Sequence, residues 1–186
     1  MRALRCIVFV VACGFALLPE RSAAQGRTTL AVDASLGAGF GKGGEFYARS
    51  QQSGRIAVSV RRSRPTQIGF FGEIALDGAF ASEDLLVCYP SSRGGCLQRF
   101  PDFWGPTLTG GLIAQYIDRF EARLGVGGGA LAGGATRVGA AVSQLDVTVF
   151  PVSHVGLIAG ARWIVVPRYH GDRLSILPWA IGLRVR

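Results

Sequence analysis

Lysine is almost absent from this chain: of its 20 basic residues, only Lys42 is not arginine. Charged residues make up only 17% of it, against roughly 25% in an average soluble domain. No run of 18 consecutive apolar residues occurs, which excludes a helix long enough to cross a bilayer. Against these shortages stand 49% hydrophobic residues, 10% aromatics and 27 glycines in 186 positions, one domain's length. That mixture suits short strands and tight turns in an apolar environment. The arginines are spread along the chain, with Arg61, Arg62 and Arg64 as one short cluster, so the basic balance does not point to nucleic acid.

The first 24 residues read as a targeting segment. Met1 to Arg5 carries two arginines, Cys6 to Leu18 is apolar, and Ser22-Ala23-Ala24 sets small residues before a cleavage point at Gln25. Residues 1–24 are therefore expected to be a cleaved signal peptide and residues 25–186 a single domain. An uncleaved anchor competes, but Pro19 interrupts the apolar run. A lipoprotein signal at Val10-Val11-Ala12-Cys13 would leave very little apolar sequence before Cys13.

Export accounts for the cysteines as well. Cys6 and Cys13 leave with the leader, so Cys88 and Cys96 remain as an even pair in an oxidising compartment and are expected to form a disulfide. A metal site would need further ligands, and neither a Cys-x-x-Cys spacing nor a nearby histidine is present.

From Thr28 onward the chain breaks into segments with period-two alternation. Leu30, Val32, Leu36 and Phe40 oppose Asp33, Ser35, Gly37 and Gly39; Ile56, Val58 and Val60 oppose Ala57, Ser59 and Arg61. In 67–78, Ile68, Phe70, Ile74 and Leu76 oppose Gln67, Glu73 and Asp77. A long irregular stretch, 79–105, follows. Alternation resumes in 106–117 and in 120–131, where Phe120, Leu124 and Val126 oppose Glu121 and Arg123. In 138–150 the phase changes between Val142 and Leu145, which predicts a bulge near Ser143. The segments 154–166 and 174–186 set apolar series ending at Val165 and Val185 against Arg162 and Arg184. These segments predict eight antiparallel strands.

Two features favour an all-β, eight-stranded, up-and-down transmembrane barrel over a soluble sandwich. The connections at 63–66, 117–119 and 151–153 are short, while those at 41–54, 79–105, 133–137 and 167–173 are mostly longer, as in barrels with short inner turns and long outer loops. Strand-borne charge is also confined to one face: Asp33, Arg61, Glu73, Asp77, Glu121, Arg123, Asp146, Arg162 and Arg184. An apolar outer face with sparse inward charge suits lipid outside and a polar lumen inside. Tyr116, Phe120 and Phe150 near the short turns, and Phe40, Phe103 and Trp104 near the long loops, would then form interfacial girdles.

On these strands the chain resembles the small eight-stranded outer-membrane proteins, such as the barrel domain of OmpA, OmpX and the opacity-type proteins. The resemblance spans Thr28–Arg186 and rests on architecture, not on a residue motif. It implies a location in the bacterial outer membrane, outer-membrane lipid and the barrel assembly machinery as partners, and a monomer. One departure is the C-terminal Arg186, where members usually end on an aromatic residue.

An eight-stranded lumen is just wide enough to be filled by side chains. Five inward acids and four inward bases nearly neutralise each other, so a hydrogen-bonded plug is expected in preference to a porin, because buried charges persist when paired. The glycines at 125 and 127–129 lack the Lys-Ser/Thr of a phosphate loop and are better explained as room for bulky inward neighbours such as Phe71. Lipid A deacylation and acyl transfer, known in the resembling family, would require a constellation such as His170, Asp172 and Ser175; His154 falls by an inner turn. Neither carries a recognisable motif, so no catalytic residue, metal or cofactor is expected. The outer segment with Tyr89, Phe100, Phe103 and Trp104 offers aromatic anchors for an extracellular ligand or protein, or else a cap over the barrel mouth.

Overall fold

A computed structural model describes residues 27–43, 46–63, 68–81, 87–88, 96–116 and 119–186. The proposed leader lies outside the described residues. Ten strands occur among those that are described: β1 (Arg27–Gly43), β2 (Phe46–Ser63), β3 (Ile68–Ala81), β4 (Val87–Cys88), β5 (Cys96–Arg99), β6 (Phe103–Tyr116), β7 (Phe120–Gly133), β8 (Thr136–Val152), β9 (Val155–Tyr169) and β10 (Asp172–Val185). Eight of them, all but β4 and β5, form an antiparallel barrel in sequence order, and β1 closes it by pairing with both β2 and β10. Closure leaves no open edge, the condition under which strands can stand in hydrocarbon. Short β5 runs parallel to the start of β2, and β4 pairs with β5.

The alternation read from the sequence is the alternation of the barrel wall. In β3 the outward residues Ile68, Phe70, Ile74 and Leu76 are exposed while Phe71, Glu73, Ala75 and Asp77 are buried. Leu36 and Ile181 are each 74% exposed. So much exposed apolar surface, repeated on every wall strand, would be anomalous in water and is what a bilayer-facing wall requires. Along β1 the outward apolar positions run from Leu30 to Phe40. At ~3.3 Å per residue and a tilt near 40°, ten residues rise about 25 Å, the height of the lipid-facing band of such barrels.

Four details differ from the sequence reading. The strands are longer than predicted and absorb most of the expected loops at 41–54, 133–137 and 167–173. Two of those connections are tight turns, with Gly134 and the pair His170–Gly171 at positive φ. The one long connection at that end runs from 82 to 102. No bulge occurs near Ser143, because β7 and β8 pair without a break from Phe120↔Val149 to Gly133↔Thr136. Val142 is buried and Leu145 exposed in a single unbroken phase, since the lumen itself turns apolar toward that end. The β8–β9 register shifts instead between Val149 and Val152. Finally, Phe103 and Phe150 face the lumen and belong to no girdle, whereas Phe40, Trp104, Tyr116 and Phe120 are exposed on the wall.

Candidate functional site

The inward positions of the wall strands converge on a lumen that is polar for most of its length. All nine charged residues predicted for it are buried there: Asp33, Arg61, Glu73, Asp77, Glu121, Arg123, Asp146, Arg162 and Arg184. Arg55 joins them, buried and ion-paired with Glu73. The described lumen therefore holds five carboxylates and five guanidinium groups. Arg55 is legible after the fact, since it shares the odd-numbered phase of Ala57, Ser59 and Arg61.

Toward the chain termini, Arg184 binds Asp33 bidentately, with Nε–Oδ1 and Nη2–Oδ2 both 2.7 Å. The Arg184 Nη1 also donates to Glu121 Oε1 at 2.6 Å and to Thr148 Oγ1 at 2.7 Å. Glu121 accepts from Arg123 Nε at 2.7 Å and pairs with Arg61. Nearer the 82–102 connection, Glu73 pairs with Arg55, and Asp77 with Arg162 and Thr107. Arg123 links the two groups: its Nη1 lies 3.7 Å from both Asp33 Oδ2 and Glu73 Oε2 and donates to Ser59 Oγ at 3.0 Å. Its guanidinium also lies 5.2 Å from the ring centroid of Phe71. Gly125 makes room for that ring, because a Cβ there would come within 2.7 Å of Phe71 Cζ.

Asp146 is placed differently. It is buried beside Gly160, and its Oδ2 has no hydrogen-bond partner among the described residues. It borders a small cavity of about 30 Å³ that Arg55, Asp77 and Arg162 also line. That space suits a water molecule bridging the carboxylate to its neighbours.

At the end nearest the 82–102 connection, polar residues give way to an apolar layer. Phe100, Phe103, Leu131, Val142, Ile164, Val166, Tyr169, Leu174 and Ile176 are all buried in it. Phe103 meets Phe100 and Tyr169 edge-on, with centroids 6.1 and 5.3 Å apart. Asp102 ties this segment to the wall by accepting the Ala81 amide at 2.8 Å. Of the aromatics considered as ligand anchors, Phe100 and Phe103 are thus turned inward and Trp104 faces the lipid side. Tyr89 lies outside the described residues. Phe100 and Phe103 are inward because the apolar mouth buries more of their surface than solvent exposure in a loop would allow.

Cys88 and Cys96 occupy facing positions of the β4–β5 ladder. The residues considered for hydrolysis do not converge. His170 is exposed in the β9–β10 turn, whereas Ser175 lies further along β10 and accepts the Trp163 indole N–H at 2.6 Å. The stretch of β10 from Asp172 to Ser175 alone spans about 10 Å. His154 sits in the β8–β9 turn, where its carbonyl accepts the Arg186 amide at 2.9 Å. Among the described residues, no three histidine, cysteine or acidic side chains group as a metal site.

No family model matches the chain, and no curated protein matches its sequence. Solved structures do resemble it. Neisserial surface protein A superposes with a TM-score of 0.57 at 15% identity, covering 86% of this chain and 98% of that one. OprG from Pseudomonas aeruginosa gives 0.49 at 8% identity, over 87% and 96%. Ail from Yersinia pestis gives 0.45 at 11% identity, over 86% and 99%. The likeness to the neisserial protein agrees with the fold, a closed, eight-stranded antiparallel barrel, and the outer face of its wall is apolar.

Proposed function

We propose that this barrel is a non-conducting outer-membrane protein, its lumen an ion-paired filling and its 82–102 segment a surface for interaction outside the cell. The observation that carries the reading is the succession along the lumen: a charge-balanced network, then an apolar layer built on Phe100, Phe103 and Tyr169. Charges that are paired and hydrogen-bonded hold a lumen together, and an apolar constriction excludes water and ions. A water-filled channel would leave its lumen charges hydrated instead. The end bearing the long connection faces outward in this reading, since outer-membrane barrels keep short turns and both termini on the periplasmic side.

Planar-bilayer recordings on the refolded barrel test the reading. Silent bilayers are expected over the whole usable voltage range. Steady, charge-selective channels would replace the plug with a small porin.

The interaction surface includes the β4–β5 hairpin. Facing residues of an antiparallel pair have Cα atoms about 4.5–5.5 Å apart, within the span that a disulfide bridges. A bridge between Cys88 and Cys96 would add about 2–3 kcal/mol by closing this small loop. Thiol labelling of whole cells is expected to modify the pair only after reduction. Labelling without reductant would remove the disulfide, and labelling only after membrane rupture would reverse the orientation.

A further inference from the structure

We propose that the rim of the barrel over β8, β9, β10 and β1, at the end bearing the 82–102 connection, binds the phosphate groups of outer-leaflet glycolipid. The proposal rests on the outward orientation given above. Four cations stand on this rim, Lys42, Arg137, Arg168 and Arg173, and all four are exposed. Their strands are consecutive neighbours in the wall. None of the four has an ion pair or hydrogen bond among the described residues, although half-buried Asp172 begins β10 beside them.

Position selects the partner. Lys42 is the next outward residue after Phe40, where the apolar band of β1 ends. Arg173 stands two residues beyond Ser175, which faces Lys42 across the β1–β10 ladder, so the two cations are diagonal neighbours at a spacing of about 7–8 Å. On the other side, Asp172 faces Tyr169 and Leu174 faces Val166, so Pro167 and Arg168 together oppose Arg173 across a bulge. Arg137 lies outward at the start of β8. Like charges facing one another across a ladder are unfavourable. An anion between them reverses the sign, and guanidinium groups bind phosphate oxygens in pairs. On β3, β6 and β7 the last outward residues are Phe80, Trp104 and Ala132, none of them charged. Among the described side chains, the cations thus mark the adjacent strands β8, β9, β10 and β1 just beyond the apolar band, the height at which a glycolipid carries its phosphates.

The test uses the refolded barrel in symmetric lipid discs of phosphatidylcholine containing either bisphosphorylated lipid A or its dephosphorylated form, with retained lipid counted by native mass spectrometry. Preferential retention of the phosphorylated form is expected. A cation near a charged lipid surface contributes about 1 kcal/mol, or about fivefold in binding per residue removed. The double variant Arg168→Gln/Arg173→Gln should therefore lose most of the preference, and Lys42→Gln about fivefold, while Arg62→Gln near the opposite end should keep it. Equal retention of both lipids by the wild type overturns the proposal without needing any variant. An equal loss in Arg62→Gln overturns it by showing a net-charge effect, as does displacement of the lipid by equimolar heparin oligosaccharide. Binding in symmetric discs does not depend on orientation, which is read separately by whole-cell labelling of Ala135→Cys. Labelling only after membrane rupture would refute the outward assignment and with it the biological site, whatever the discs show.

Discussion

Replacing Arg184 by alanine is expected to lower the unfolding free energy of the folded barrel by about 3–5 kcal/mol, the range for a buried pair that loses one partner. Arg184 is fully buried and serves Asp33, Glu121 and Thr148 at once. Its loss leaves the Asp33 carboxylate with Arg123, whose Nη1 lies 3.7 Å away and forms no close bond to it. Glu121 keeps Arg61 and Arg123 and should adapt more easily. Arg184→Lys keeps the charge but not the two parallel bonds to Asp33, so it should fall between wild type and alanine. Glu73→Ala should be costly for the same reason, since it strips Arg55 of its close partner. Val58→Leu, on the half-exposed outward phase of β2, should change stability by well under ~1 kcal/mol. Denaturant titrations in one detergent would rank the series. Losses below ~1 kcal/mol for Arg184→Ala and Glu73→Ala would match hydrated charges, as on an exposed surface, and would refute the paired lumen.

The legibility of this network in the sequence has a simple cause. A strand in a barrel wall has two environments with a period of two, so a charge and its apolar neighbours report their facing directly. Asp33, Glu73 and Arg123 could be assigned inward on that basis alone. Arg55 fell at the edge of a predicted strand, where the flanking Gly54 suggested a loop. The same rule misled where the lumen stops being polar. Val142 lies on the inward phase with Gln144 and Asp146, yet next to outward Leu145 and Val147 it looked like a change of register. The β7–β8 ladder runs through this stretch without a break, so the phase does not change there. Phe100 and Phe103 were unreadable for a different reason: they precede or begin a strand, and an irregular segment carries no periodicity to reveal which way it folds. Their burial depends on Leu131, Tyr169, Leu174 and Ile176, which arrive from distant parts of the chain. Loop lengths were overestimated because glycine-rich strand ends resemble turns, and the wall continues past the apolar band that the composition marks.

Phe103→Ala is expected to cost about 3–5 kcal/mol, the range for removing a buried phenylalanine whose surroundings cannot collapse. Collapse is restricted here because the ring is wedged between Phe100 and Tyr169 and lies close to Gly133, where a Cβ would come within 2.4 Å of it. Phe103, Gly133 and Tyr169 belong to three different wall strands, each fixed by its own ladder, and Phe100 to the segment that leads into β6. Phe103→Leu keeps much of the volume and should lose less than ~1.5 kcal/mol. Phe100→Ala should resemble Phe103→Ala, and the double variant should lose less than the sum of the two, because edge-on aromatic pairs are coupled by about 0.5–1.5 kcal/mol. A full double-mutant cycle measured by denaturant titration checks this. Strict additivity, with Phe103→Ala no more damaging than Phe103→Leu, would mean that the two rings lie loosely at the mouth, and an apolar seal would no longer explain a silent lumen.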